Sequence, residues 1–81
     1  MHLDIYQRPE AGGRLTFLAV PAGRRIPEEA ASVDWSLHAG AMALDEDEPS
    51  LEPFRIRDPA GQLREKGYAI TALEDQVPAA P

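Results

Sequence analysis

Eighty-one residues suffice for one domain, and a domain of that size buries only roughly 60% of the surface its unfolded chain exposes. Thirteen of the apolar residues are alanine, so few bulky side chains remain once a core is formed, which argues against a deep apolar cleft and against an elaborate enzyme. The chain has no cysteine, which excludes disulfides, thiolate chemistry and cysteine zinc sites. The net charge is −6, and residues 26–52 hold eight acids with no Lys or Arg. Such a field repels phosphate backbones, so no nucleic-acid partner is expected. No window approaches the ~20 apolar residues of a membrane span, and "MHLDIYQRPE" lacks the basic flank and apolar run of a signal peptide. The expectation is a protein of the cytoplasm that does not engage membranes.

In chain order, "HLDIYQR" alternates Leu3 and Ile5 with Asp4 and Tyr6, the period of a half-buried strand. "PEAGG" then supplies a turn, and "RLTFLAV" is a second strand, apolar on both faces and so better covered than the first. "PAGRRIPEEAAS" interrupts the β pattern, with one helical turn expected after Pro27, where Glu28 and Glu29 face the positive end of the turn. "SVDWSLHA" alternates Val33, Trp35, Leu37 and Ala39 against Ser32, Asp34, Ser36 and His38. The reading is a third strand with Trp35 at the centre of the core. Residues 40–53 are read as an acidic loop.

"DPAGQLREKGYAIT" has the marks of a short helix over 58–66 followed by a strand. Asp58 caps the first amides, Pro59 needs no amide partner there, and Gly67 takes the left-handed conformation past the end. Ala60 and Leu63 form the apolar stripe, and Gln62, Glu65 and Lys66 the solvent side. Gly61 is costly inside a helix and points to a close approach by a neighbour. Tyr68, Ile70 and Ala72 line one face of the closing strand, with Thr71 opposed. Residues 77–81 are read as a frayed tail. The sum is an α+β domain spanning 1–81, a small, mostly antiparallel sheet with one helix on one face.

Four groups of residues invite a functional reading. "DEDE", Asp45 to Glu48, lacks the spacing and the Gly of a calcium loop; it is read as a solvated acidic surface able to meet a basic partner. Arg14, Arg24 and Arg25 flank Gly turns and are candidate contacts for a phosphate or carboxylate. Ser36 and His38, with Asp34, supply the residue types of a hydrolase. Residues two apart on a strand stand about 7 Å apart, too far for a nucleophile to meet its base. His2 and His38 are too few for a zinc site.

The blocks "LDIYQRPE", "FLAVPAG", "IPEEA", "VDW" and "EKGYAIT" resemble a small bacterial family of similar length, a domain of unknown function. The resemblance covers nearly the whole chain and implies a compact bacterial cytoplasmic protein. It brings no activity, cofactor or catalytic residue to transfer. The reading that follows is a non-enzymatic interaction or accessory module without a cofactor. It binds a protein partner, or a second copy, through a strand edge. An anion-binding regulator using Arg14, Arg24 and Arg25 is the alternative, and a minimal hydrolase at Ser36 and His38 a distant third.

Overall fold

The computed structural model describes residues 1–31 and 34–79. Its strands are β1 (His2–Glu10), β2 (Arg14–Pro21), β3 (Ser36–Ala43), β4 (Ser50–Leu51), β5 (Ile56–Arg57), β6 (Ala69–Ile70) and β7 (Val77–Pro78), with one helix, α1 (Pro59–Lys66), and 3-10 turns at Glu28–Ala30 and Leu73–Asp75. The main sheet has the order β3-β1-β2-β6, with β7 also on β2, and every pairing is antiparallel. The architecture is α+β. Among the described residues no helix is long and apolar enough to cross a membrane.

The β1–β2 hairpin follows from the sequence directly. Its register runs from Leu3 opposite Pro21 to Glu10 opposite Arg14. The turn places Gly12 and Gly13 at φ of +78° and +70°, a region costly for residues with a Cβ. Pro9 lies inside β1, beyond Gln7, where the pairing with β3 stops; its missing N–H forfeits no bond on that side.

Alternation along β2 divides the core into two faces. Phe17 and Ala19 join Leu3 and Ile5 in a cluster completed by Leu44, Leu51, Phe54, Ile56 and Ala69, with Leu63 of α1 packed against it. Leu18 and Val20 point the other way and are also fully buried. Both faces are therefore covered, and α1 does only part of the covering. Leu44, Leu51, Phe54 and Ile56, from the chain between β3 and α1, close the first face. On the second face, the connection from β2 to β3 has to cross β1, which lies between them. Trp35 marks that crossing, with its ring under the Arg8 guanidinium.

β3 departs from the sequence reading. It begins at Ser36 rather than Ser32 and runs on to Ala43; residues 32, 33, 80 and 81 lie outside the described residues. Its register on β1 shifts twice: Leu37 opposes Tyr6 while Ala39 opposes Ile5, leaving His38 as an extra residue between them. An inserted residue reverses which side chains face inward. Leu37 is consequently 61% exposed, and Trp35 is a half-buried residue beside the strand instead of the centre of the core. The second shift falls between Leu3 and Ile5. There Ala41 takes φ of +51°, and its amide is held by the Asp4 carboxylate at 2.9 Å.

The acidic loop is shorter than 40–53, because β3 extends through Ala43 and β4 starts at Ser50. Of the tail read as frayed over 77–81, residues 77–79 are held, and 80 and 81 lie outside the described residues. Val77 and Pro78 pair with Leu15 and Arg14, and the Ala79 amide donates to the Gly13 carbonyl at 2.7 Å.

The helix forms as its ends dictate. The Asp58 carboxylate accepts from the Gly61 amide at 3.2 Å, Pro59 is fully buried at the first position, and Gly67 at φ +84° returns its amide to the Leu63 carbonyl. Gly61 is explained by its cap: a Cβ there would lie 2.6 Å from the Asp58 carboxyl carbon. Two polar residues turn inward, Gln62 against expectation. Gln62 turns toward the sheet, as described below. Thr71 is 4% exposed; its hydroxyl donates to the Phe54 carbonyl at 2.9 Å and accepts from the Phe17 amide at 3.1 Å.

Two substitutions test this packing. Gly61→Ala will lower stability in urea unfolding, although alanine is favoured over glycine in helices by about 1 kcal/mol, because the methyl group displaces the cap; a gain would contradict the cap geometry. Thr71→Val leaves the Phe54 carbonyl and the Phe17 amide without their side-chain partner and will cost about 1–3 kcal/mol.

Candidate functional site

The sheet offers an outer edge at each side, and the sequence closes one of them. Along β2 the far edge is occupied by β6, by the Thr71 amide on the Phe17 carbonyl, and by β7. The outer side of β6 is closed by a side chain: the Gln62 amide accepts from Ile70 N–H at 3.0 Å, donates to the Ile70 carbonyl at 3.4 Å and donates to the Arg57 carbonyl at 2.6 Å. An amide group in this position does what a neighbouring strand would do. Among the described residues the edge left open is β3, which pairs with no strand other than β1 and is exposed along most of its length. An unpaired row of backbone N–H and C=O groups is a template for another strand.

The C-terminal end of β3 opens into a cleft of about 420 Å³, floored by Met42, Leu44 and Leu51 and rimmed by Asp45, Glu48 and Glu52. The acidic turn is shaped by its own backbone: Asp45 Oδ1 accepts from the Asp47 amide, and the Asp45 carbonyl from the Glu48 amide, each at 3.0 Å. Asp45, Glu46, Asp47 and Glu48 are all exposed. Among the described residues no group of three or more His, Asp or Glu side chains is placed to hold a metal ion.

The three arginines flanking the Gly turns do not converge. Gly23 N–H and Ala41 N–H share the Asp4 carboxylate, which sets Arg24 and Arg25 beside the second half of β3. Arg14 begins β2, opposite Glu10, and seven residue steps of strand, roughly 23 Å, separate it from Pro21. The hydrolase residues do not assemble either. The Ser36 hydroxyl lies 3.5 Å from the Gln7 carbonyl, whereas the His38 ring meets Phe17 and Phe54 edge-on at 5.4 and 5.5 Å.

A polar ladder on the second face escaped the sequence reading. The Arg8 guanidinium lies 4.4 Å over the Trp35 ring, and Trp35 Nε1–H donates to the Ala30 carbonyl at 2.8 Å. Arg8 Nε donates to Glu10 at 2.8 Å, Glu10 accepts from the Thr16 hydroxyl at 2.7 Å, and Gln76 reaches Thr16 at 3.4 Å. Alternation places Arg8 and Glu10 on one face, but their link to Thr16 depends on the hairpin register. The Thr16 hydroxyl, and then Arg8, hold the Glu10 carboxyl below its usual range. The Gly23 and Ala41 amides do the same for Asp4.

The sign of the resulting pH dependence is fixed. A carboxyl whose pKa is lower folded than unfolded adds stability above its unfolded value, and that contribution is lost as the pH falls through the folded value. Unfolding midpoints will therefore drop on acidification below about pH 4, and Asp4→Asn will flatten part of the drop. An acid limb identical in the variant would show that Asp4 plays no part.

No curated protein and no solved structure matches the chain. A family model described as "Family of unknown function (DUF6139)" matches residues 1–77. The chain, from the first residue of β1's lead-in to the first residue of β7, belongs to that family.

Proposed function

We propose that the protein is a non-enzymatic interaction module that takes up an extended segment of a partner protein along the outer edge of β3. The observation that carries this reading is the contrast between the edges: β6 is closed by Gln62, whereas among the described residues β3 pairs with no strand other than β1. Main-chain pairing supplies affinity in this mode, and pockets beside the strand supply specificity. The cleft beyond Ala43 suits a Lys or Arg side chain, its stem over Met42, Leu44 and Leu51 and its charged head among Asp45, Glu48 and Glu52. Arg24 and Arg25, beside Ala41, would repel a basic side chain there, so the partner's basic residue belongs at the acidic end. The net charge of −6 favours such a partner at long range.

A second copy is the weaker occupant. Two antiparallel β3 strands about a twofold axis would draw two bodies of like charge together. The bacterial cytoplasm is the compartment we propose for the module.

The test is a nuclear magnetic resonance titration with short extended peptides carrying one Lys or Arg. Binding will slow exchange at the β3 amides, weaken with added salt, and weaken several-fold in a Glu48→Gln, Glu52→Gln double variant. Leu37→Lys, which places a charge on the edge, will reduce it further. Peptides that leave β3 unperturbed would overturn the reading. So would light scattering that finds a dimer with β3 already protected.

A further inference from the structure

The polar ladder holds one side chain in an unusual state. Arg8 is stacked on Trp35 and braced through Nε by Glu10, which is itself held by Thr16. Its side chain still retains 29% of its exposure. Only Nε of this guanidinium has a hydrogen-bond acceptor among the described residues. The two terminal nitrogens form a planar fork whose orientation is set before any ligand arrives, and that geometry matches the oxygens of a carboxylate or phosphate.

A second cation stands close by. Arg8 opposes Thr16 and Glu10 opposes Arg14, so Arg8 and Arg14 are diagonal neighbours on one face, with backbone positions about 7–8 Å apart. Arg14 is exposed, and its long side chain spans that separation. Glu10 lies between the two, fixing Arg8 and cancelling one of the two positive charges. Arg8 and Arg14 lie at the hairpin-turn end of the sheet, away from the acidic turn that follows β3.

From this arrangement we infer that Arg8 and Arg14 form a binding site for the oxyanion group, phosphate or carboxylate, of a small molecule, with Trp35 and Glu10 as positioning residues. The site is separate from the β3 edge and stands whether or not that edge docks a partner. It replaces the trio Arg14, Arg24 and Arg25, of which only Arg14 is in reach.

The experiment is a titration at constant ionic strength with inorganic phosphate in one arm and malonate in the other, read on backbone and arginine Nε–H signals. Saturable shifts are expected at Arg8, Arg14 and their strand neighbours in at least one arm, and the tighter arm names the chemistry. Arg14→Ala, an exposed change that leaves the ladder intact, will weaken binding several-fold, and Arg8→Lys will do so by removing the fork while keeping a charge. Glu10→Gln will tighten it, because the competing carboxylate is gone; a ladder with only a structural role predicts no such gain. Arg24→Ala will leave it unchanged. Shifts that do not saturate, or that fall equally on Arg24 and Arg25, would overturn the proposal. Arg8→Lys binding as the parent does, or Glu10→Gln binding no tighter, would overturn it as well.

Discussion

Both faces of β2 are dry, yet the described residues hold one short α-helix with which to cover them, and irregular segments have to do the rest. Irregular chain brings a difficulty of its own, since its amides and carbonyls lack the partners that helices and sheets provide and are costly to bury unpaired. Asp58, Gln62 and Thr71 meet that need at buried or half-buried groups, and Asp4 ties together two exposed turns. Asp4 holds the amides of Gly23 and Ala41, Asp58 that of Gly61, Gln62 both polar groups of Ile70, and Thr71 the carbonyl of Phe54 and the amide of Phe17. Each ties an irregular stretch or a helix end to its surroundings. The fold is thus held by side-chain-to-backbone hydrogen bonds as much as by its small apolar core.

The same constraint shapes what the molecule has left for function. Gln62 closes β6 because the helix that carries it lies against that strand, and β7 closes the far end of β2 because the chain returns there after the turn at Leu73–Asp75. Among the described residues nothing comparable lies along β3, which follows a long crossing and precedes an acidic turn. The open edge and the charge beside it arise from one feature of the topology, the placement of β1 between consecutive strands β2 and β3. The ladder from Trp35 to Gln76 is the other product of that crossing, since it locks the crossing chain to the face it passes over.

Much of this was legible in the residues. The hairpin followed from alternation and two adjacent glycines, and the helix from Asp58, Pro59 and Gly67, because such signals act over a few residues. Gly61 was legible as a close approach, and the capping carboxylate of Asp58 is what approaches. β3 was not, because one extra residue at His38 reverses the facing of everything before it, and periodicity has no means of marking where a strand is bulged. Trp35, read as the core, is carried by that reversal to a half-buried platform for Arg8. Gln62 read as solvent-facing, and Thr71 only as opposed to Tyr68, Ile70 and Ala72, because their partners, Ile70 on one side and Phe17 and Phe54 on the other, are set by tertiary structure. The tail over 77–79 read as frayed because two residues are too short a strand to announce itself. Of the site, the acidic turn was visible as composition, whereas Arg8, Glu10, Thr16 and Gln76 become neighbours only through strand register.

The most direct test of the central claim is residue-resolved native-state hydrogen exchange on the unmodified protein. If side chains stand in for missing strands and turns, the amides of Ile70, Ala41, Gly61 and Phe17 will be protected well above the outward-facing amides of β3, although their partners are side-chain oxygens. Exchange of Ile70 and Ala41 as fast as the open β3 edge would contradict the account, for those bonds would then contribute nothing to holding the fold.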